Sequence, residues 1–410
     1  MAEHPLIAAV RAGDGRGVEA LLSEGADPEA VDGGGTPVLC LAVDALDEAI
    51  VEQLVWRAQV DRPAPDGRTP LLRAVEQGAL GIVTTLMHHG ADPRRKDAEG
   101  RDALELARYW HSAGVEAELR RRAGTSEPIR RRRVVHESGT VCAELSLGGL
   151  TVRDGHTAIL TELERRYGIV TPFAELLDRA SAERDTEHEV WLTTADAVRE
   201  RHDRADWDAA GALRDSANPL ARYFGAEVLC LIVVHDDGED ESFDEPIVDI
   251  LLPWVAREED PLVLRTLTLA LGNASDPRAR RPLPALARNH DAGVRRWAVK
   301  GLYGPVSDGD TEALAAVLAC TGDVDAEVRE SACWALGEAP AGSPASDALA
   351  ACLGDEDEAV RVVAATRLGL RDDPRGDEVL RALGDVGQDS PYYWHLDSLR
   401  RHRRAQGRDG

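Results

Sequence analysis

The ten-residue phrase VRESACWALG at 328–337 recurs with variations through the C-terminal half of the chain and predicts a repeat fold there. The variants read VLRTLTLALG at 263–272, VRRWAVKGL at 294–302 and VRVVAATRLG at 360–369. Each has a valine, mostly small residues three and four positions later, and a leucine eight positions later. Residues at these spacings share one face of a helix, so the phrase predicts a helix with one buried side.

Copies of this phrase begin at 190, 221, 263, 294, 328 and 360, and a degenerate copy lies near Tyr392. The steps between copies are similar in length except for the one from 221 to 263, which is longer and contains the acidic insertion DDGEDE at 236–241. Acidic turns such as DVDAE at 323–327 precede the helices, where the helix dipole favours carboxylates in the first turn. An apolar run precedes each turn, so the pattern predicts a stack of helix pairs.

A different phrase repeats in the first third of the chain. DGRTPLL at 66–72 is echoed by GGTPVL at 34–39 and by GRDAL at 100–104, and EGADP at 24–28 returns as HGADP at 89–93. Gly25 and Gly90 are expected to end helices in the left-handed conformation, and Thr36 and Thr69 to precede prolines that start them. At 58–61 the sequence AQVD replaces the second phrase, which predicts a less regular turn.

The two sets of phrases resemble two repeat families. Residues 1–122 are similar to ankyrin repeats, whose period of about 33 residues the first set matches. Residues 156–400 resemble HEAT-like repeats, including those of the PBS-lyase type. The resemblance implies an all-α double α-solenoid, in which ankyrin repeats are followed by HEAT-like repeats stabilised by stacking on their neighbours. Residues 123–155 would then form a connector, and residues 401–410 a basic tail.

The connector matches neither repeat. Apolar and polar residues alternate along 141–147, Gly148 and Gly149 follow, and 150–152 reads Leu-Thr-Val. This pattern predicts a small β-hairpin, with helices resuming at His156.

Composition limits the classes of partner. The chain has 74 acidic and 48 basic side chains among 410 residues, and a formal net charge of -26 at pH 7. Such acidity disfavours nucleic acid and anionic membranes as partners. No apolar run reaches the roughly 18 residues of a membrane span, and the start lacks the features of a signal peptide. We expect a cytoplasmic protein, and the ratio of 46 arginines to two lysines favours a high-GC, bacterial source.

The sequence lacks the common motifs of enzymes and metal sites. Phosphate-binding, dinucleotide-binding, zinc-protease and serine-hydrolase motifs are absent from the sequence. The dipeptides His136-Glu137 and His188-Glu189 resemble the ligands of HEAT-like di-iron hydroxylases, but the corresponding positions of the later repeats, such as Arg296-Trp297 and Glu330-Ser331, cannot complete such a set.

The cysteines and the acidic insertion are also not expected to bind metal. The six cysteines include no C-x-x-C pair and are expected to be buried apolar residues. The acidic insertion lacks the spacing of a calcium loop. We therefore predict no catalytic, cofactor-binding or metal-binding residues, and no enzyme activity.

With no catalytic or metal-binding motif, the candidate functional residues are those expected on the surface of the repeats. Positions one and five after the arginine of each HEAT-like phrase share a helical stripe that would line a concave wall. An exposed Trp334 beside tyrosine and arginine has the composition of an interface, although Trp334 could instead cover the neighbouring repeat. The candidate partner-binding residues are Tyr223, Arg265, Arg296, Lys300, Glu330 and Trp334 in the HEAT-like part, and Arg68, Arg73 and Glu99 in the ankyrin part.

These features predict a non-enzymatic scaffold or adaptor, monomeric, that binds a protein or peptide with basic segments. Two alternatives stay open at this point. One is a role like that of HEAT-containing bilin lyases, which hold a tetrapyrrole or an acceptor protein. The other is nucleic-acid binding through Arg120–Arg133, a stretch that holds seven arginines. The same stretch could instead be a solvated linker that offsets the acidic charge of the rest of the chain.

Overall fold

The computed structural model describes residues 4–136, 139–235, 244–384, 386–387 and 389–405. The described residues fall into two compact units, one within 1–202 and the other within 203–410. The predicted acidic insertion at 236–241, Glu137 and residues 406–410 of the predicted basic tail lie outside the described residues. Within the described residues, no helix combines the length and the apolar character that crossing a bilayer demands. The predicted repeat boundaries at 122 and 156 stay a prediction.

The first unit holds eleven described helices and three strands. The helices are α1 Pro5–Arg11, α2 Gly15–Ser23, α3 Val38–Asp44, α4 Glu48–Val55, α5 Pro70–Glu76, α6 Leu80–His88, α7 Ala103–Ala113, α8 Val115–Ala123, α9 His156–Arg166, α10 Phe173–Ser181 and α11 Glu189–Arg199, and the strands are β1 Arg130–Val135, β2 Val141–Leu147 and β3 Leu150–Arg153.

Helix pairs stack along the first unit. The first helices contact one another in the order α1, α3, α5, α7 and α9, and the second helices in the order α2, α4, α6 and α9. Helix α8 instead packs on β2 and β3, which leaves α9 beside both α6 and α7. One core of buried apolar residues runs from Leu6 through the helix pairs to Leu163, and it includes Leu145, Leu147 and Val152 of the sheet.

The predicted hairpin is confirmed, and it gains a strand. Strands β2 and β3 pair antiparallel around Gly148 and Gly149, which take φ angles of 58° and 82°. Two successive positive φ angles are what a two-residue hairpin turn requires. Strand β1 adds to the other edge of β2, pairing Arg130 with Ser146. The sequence analysis missed β1 because four consecutive arginines hide any apolar alternation.

The glycine turns of the first unit follow the sequence. Gly25 and Gly90 have φ angles of 91° and 88°, as predicted for residues that end helices. Thr69 caps α5 and Pro70 begins it, whereas α3 begins one residue after Pro37. No residue of 56–61 takes a positive φ, so the turn at AQVD does differ from its counterparts.

The second unit consists of described helices α12 to α24 and four short 3-10 segments. The helices are α12 Arg204–Ala212, α13 Pro219–Val234, α14 Asp244–Val255, α15 Pro261–Asn273, α16 Leu283–Leu286, α17 Ala292–Gly301, α18 Tyr303–Ser307, α19 Thr311–Cys320, α20 Ala326–Leu336, α21 Ala345–Ala351, α22 Glu358–Leu370, α23 Asp377–Leu383 and α24 Tyr393–Ala405, and the 3-10 segments are Leu213–Asp215, Pro277–Arg280, Cys352–Gly354 and Pro374–Gly376.

Helices α13, α15, α17, α20 and α22 contact one another in that order and carry the repeated phrase. Its valines at 263, 294, 328 and 360 are fully buried, as are Ala298, Ala332 and Ala364 four positions after three of them. The repeated apolar positions therefore face inward, as the spacing predicted, and the all-α solenoid fold with a small sheet is confirmed.

Candidate functional site

An arginine ladder links consecutive repeats of the second unit. Arg295 donates to the carboxylate of Asp323 at 2.6 Å, and Arg329 donates to that of Asp355 at 2.8 Å. Each arginine also donates to the backbone carbonyl six residues before it, at 3.0 Å and 2.9 Å. Arg222 repeats the arrangement with Glu258. The arginine after the lead residue therefore ties its own turn to the turn of the next repeat.

In each acidic turn one aspartate pairs with an arginine and another caps the following helix. Asp323 receives the arginine of the preceding repeat, whereas Asp325 caps helix α20 by accepting from the backbone N–H of Glu327 at 3.0 Å. Asp355 and Asp357 repeat this division before α22. A capping carboxylate satisfies an N–H that has no partner within the helix. The expected preference of acids for the helix start is therefore realised mainly by capping.

Four of the six candidates in the second unit meet at one groove. A cavity of about 310 Å³ is enclosed by residues of α17, α20, α22 and α24. Arg296, Lys300, Glu330 and Trp334 all line it, as expected for residues of one helical stripe, and their role in binding a partner stays a prediction. The other lining residues are Glu327, Ser331, Val363 and His395.

Trp334 is the aromatic centre of this groove, and its side chain is 42% exposed. The guanidinium of Arg367 lies over the indole, 3.0 Å from the ring centroid, which is the geometry of a cation–π contact. The rings of His395 and Tyr303 lie 5.7 Å and 6.4 Å away. Burial lowers the pKa of Arg367 to about 10, which leaves the guanidinium charged at neutral pH. The indole is thus held by its neighbours while one face stays accessible.

The charged residues of the groove are only partly satisfied by one another. Arg296 forms an ion pair with Glu327. The ammonium of Lys300 lies 4.7 Å from the ring centroid of Trp297, and burial lowers the pKa of this lysine. Burial raises the pKa of Glu330, and Lys300 partly opposes that shift. A glutamate whose ionised form is poorly solvated would gain from a basic group on a partner.

The predicted stripe does not extend along the whole second unit. The candidate Tyr223 is only 9% exposed and offers little surface to a partner, because α13 is buried around most of its circumference. Arg265 is exposed, but it forms an ion pair with Asp291 at 2.6 Å. Neither residue lines the groove with Trp334.

The three candidates of the first unit are held in ion pairs between and within repeats. Arg73 contacts Asp44 at 2.7 Å and Asp66 at 2.6 Å, and Arg68 pairs with Glu76. Glu99 accepts from Arg101 at 3.1 Å. These charges stabilise the repeat turns in the structure, and their role in binding a partner stays a prediction.

Most arginines of the 120–133 stretch also face carboxylates of the chain itself. Arg121 and Arg122 both contact Glu118 at 2.6 Å, and Arg132 contacts Glu144 at 2.8 Å. Arg131 pairs with Glu116 and Arg133 with Glu187, both through short contacts. Intramolecular pairing leaves less positive charge for phosphate groups, since affinity for nucleic acid follows the number of phosphates neutralised.

A second groove lies within the first unit, and the sequence analysis missed it. Two cavities, of about 650 Å³ and 620 Å³, share the lining residues Glu52, Leu80, Thr84, Thr85, Leu192 and Thr193. The groove therefore runs between helices α4 and α6 on one side and α11 on the other. Trp56 lines it with 76% of its side chain exposed. No local sequence pattern marks this groove, because its walls come from segments assigned to different domains.

A buried polar cluster borders the smaller of these two cavities. His136 Nε2 lies 3.2 Å from Glu189 Oε2, and His136 Nδ1 lies 3.4 Å from Glu48 Oε2. Contacts with Cys142, Glu189 and Glu48 raise the pKa of His136 to about 12, and burial raises the pKa of Glu189. All six cysteines are buried and unlinked, which agrees with their expected apolar character, but Cys142 stands apart because it belongs to this cluster.

Family models identify the two kinds of repeat. The model for ankyrin repeats in three copies matches residues 6–97, and the model for HEAT repeats matches 248–337 and 314–393. The chain is therefore a repeat protein of two classes, with ankyrin repeats at its N-terminus and HEAT repeats in its C-terminal half. Residues 156–247, which the sequence analysis also assigned to HEAT-like repeats, lie outside the match, and their assignment stays a prediction.

Two curated relatives share the ankyrin part. An ankyrin repeat-containing protein of Treponema pallidum (strain Nichols) is 36% identical over 107 residues, which is 26% of this chain and 36% of the relative. A protein of Arabidopsis thaliana named as an E3 ubiquitin-protein ligase is 36% identical over 96 residues, which is 22% of this chain and 26% of the relative. This chain thus spans only about a third and a quarter of their lengths.

Proposed function

We propose that the protein is a non-enzymatic scaffold whose HEAT groove around Trp334 holds a segment of a partner protein. The observation that carries the proposal is the convergence of Arg296, Lys300, Glu330 and Trp334 on one cavity of about 310 Å³. Ankyrin and HEAT repeats are protein-interaction modules, and both are present in this chain.

The chemistry of the groove suggests what the segment contains. Aromatic side chains and arginines dominate the energy of many protein interfaces, and Trp334 stacked under Arg367 offers both at one place. Glu330 and Glu327 add negative charge at the rim, and residues 205–395 hold 36 acidic against 17 basic side chains. We therefore propose a partner segment with an apolar anchor for Trp334 and a lysine or arginine for the glutamates.

The test compares partners recovered with the full-length protein and with the Trp334→Ala variant. Truncating a central tryptophan of an interface costs about 2 kcal/mol or more, so the recovered partner should bind at least about 30-fold more weakly. Glu330→Gln should weaken binding less, and the effect of that substitution should shrink as salt is added. The measurement is calorimetric titration of the purified partner or of its binding segment.

Trp394→Ala is the matched control. Trp394 is an exposed tryptophan of α24 that does not line the groove, so its removal should leave affinity unchanged. Equal affinities for the Trp334→Ala, Trp394→Ala and unmodified proteins would place the partner elsewhere. A visible chromophore in the purified protein would favour the alternative role of holding a tetrapyrrole.

A further inference from the structure

We propose that His136, Cys142 and Glu189 of the first unit bind one zinc ion. One imidazole nitrogen, the thiol sulfur and one carboxylate oxygen of these residues all lie within 4.8 Å of one another. The site is independent of the HEAT groove, because its three residues all belong to the first unit.

Three elements bring these residues together from distant parts of the sequence. His136 follows β1, Cys142 lies on β2, and Glu189 begins α11. The backbone N–H of Val141 donates to the carbonyl of Glu187 at 2.9 Å, which pins the start of β2 to the residues before α11. His188 Nε2 lies 3.1 Å from Asp154 Oδ1 and adds a second link between the sheet and α11. The positions of the donors are therefore set by backbone pairing.

The donor set fits zinc by its chemistry, and one of its donor pairs has nearly the spacing that zinc needs. Thiolate, imidazole and carboxylate are the ligands that zinc takes in proteins, whereas calcium and magnesium prefer oxygen alone. With zinc bond lengths of about 2.0–2.3 Å in a tetrahedron, neighbouring donors lie about 3.3–3.6 Å apart. The separation of His136 Nε2 and Glu189 Oε2 is 3.2 Å, so this pair already has nearly the required spacing.

Two buried polar atoms of the cluster residues have no hydrogen-bond partner within the described part of the chain. Glu189 is only 3% exposed, and among the described residues its Oε1 atom and His136 Nε2 have no hydrogen-bond partner. The 3.2 Å contact between His136 and Glu189 lacks the alignment of a hydrogen bond. Unsatisfied buried polar atoms are costly, and coordination to a cation between His136 Nε2 and the Glu189 carboxylate would satisfy the imidazole nitrogen.

The surrounding residues support a metal ligand at position 136. Glu48 Oε2 lies beside His136 Nδ1 at 3.4 Å, and Arg153 pairs with the other oxygen of Glu48. A carboxylate on one imidazole nitrogen commonly orients the other nitrogen toward a metal. Gly155 leaves space for Glu189, because a Cβ at position 155 would overlap Glu189 Oε1.

Three protein donors leave one position of a tetrahedral zinc ion open. His136 and Glu189 both line the cavity of about 620 Å³, which also reaches Glu52, Thr140 and Thr193. A site with three protein ligands and an accessible fourth position can hold water or a ligand atom from the cavity. No sequence motif marks this site. His136 comes from one His-Glu dipeptide, Glu189 comes from the other, and Cys142 is a single cysteine far from a second one.

The test is metal binding by the full-length protein after treatment with a chelator. Titration with Zn²⁺ against a chromophoric competitor should give one tightly bound ion per chain. Co²⁺ in its place should show the visible absorption of a tetrahedral site and a near-ultraviolet thiolate band. Cys142→Ser and Glu189→Gln should each weaken zinc binding by at least about 100-fold, and Glu48→Gln by about 10- to 100-fold as expected for a supporting residue.

Cys40→Ser is the matched control, because Cys40 is a buried free thiol of the same unit outside the cluster. Circular dichroism and thermal melting establish whether each variant is folded. If Cys142→Ser does not fold, His136→Asn provides a second variant that lacks one of the three ligands. Failure of the folded parent protein to bind Zn²⁺ would overturn the proposal. So would unchanged affinity, or a persistent thiolate band, in Cys142→Ser.

Discussion

At the residue scale, the buried carboxyl of Glu227 makes ionisation unfavourable in the folded protein, which the repeat pattern does not reveal. Glu227 of α13 lies four residues after Tyr223 among apolar neighbours, and burial raises the pKa of its carboxyl to about 7 while a hydrogen bond from Tyr223 opposes the shift. The ordinary pKa of this group is 4.5. The difference makes the stability of the second unit depend on pH in a definite direction.

Glu227→Gln should stabilise the protein at pH 8 but not at pH 4.5. Well below pH 4.5 the carboxyl is protonated in both folded and unfolded chains, so it contributes nothing to the dependence of stability on pH. Between pH 4.5 and 7 the folded chain binds more protons, so stability falls as pH rises, by at most about 3 kcal/mol above pH 7. The measurement is the urea midpoint of both proteins at the two pH values.

Glu259→Gln, at an exposed position, provides the comparison. It should change the urea midpoint at pH 8 by less than Glu227→Gln does, because substitutions at exposed positions have small effects on stability. A Glu227→Gln effect that is independent of pH would contradict the proposed cost of ionising Glu227.

Among the repeats, the arginine ladder explains why the copies of the HEAT phrase at 294 and 328 begin with valine and arginine. The valine packs inward, and the arginine reaches from the turn before its own helix to the carboxylate of the next turn. Arg329 and Asp355 are both nearly buried, and Arg329 lowers the pKa of Asp355. Neighbouring repeats are therefore joined by charge as well as by apolar contact.

Arg329→Met should destabilise the second unit by about 2–4 kcal/mol, because it leaves the carboxylate of Asp355 nearly buried and unpaired. Arg204→Met removes an exposed ion pair with Asp208 and should cost less than about 1 kcal/mol. Urea unfolding of the full-length variants measures both. Equal losses in the two variants would show that the ladder contributes no more than a surface ion pair.

At the scale of the whole molecule, charge decides which partners can approach. The net charge is -26, and most arginines of the 120–133 stretch are paired with carboxylates. A phosphate backbone would have to displace these carboxylates before it could bind. The two proposed sites, by contrast, require only a cation or a basic segment.

The full-length protein should therefore give no gel shift with duplex DNA or structured RNA at about 50 mM salt, where electrostatic binding is strong. The same assay with a basic DNA-binding protein confirms that the conditions support binding. A shift that weakens steeply between about 50 and 200 mM salt, and disappears when Arg130 to Arg133 are replaced by serine, would contradict this expectation.

The periodic features of this protein were readable from its sequence alone. The buried valines, the left-handed Gly25 and Gly90, and the hairpin at Gly148-Gly149 each depend on residues close together in the chain. Local spacing and backbone preference determine such features without reference to distant segments. The convergence of Arg296, Lys300, Glu330 and Trp334 was likewise predictable, because the copies at 294 and 328 carry the same helical stripe on neighbouring helices.

Which of these surfaces are covered, and which distant residues meet, depends instead on contacts between segments far apart in the chain. Burial of Tyr223 depends on the helices around α13, and the cluster of His136, Cys142 and Glu189 depends on β2 pairing with the segment before α11. The groove lined by Trp56 depends on α11 packing opposite α4 and α6. The physical reason is that such contacts join segments that lie far apart in the chain, and no periodicity within one segment records what packs against it.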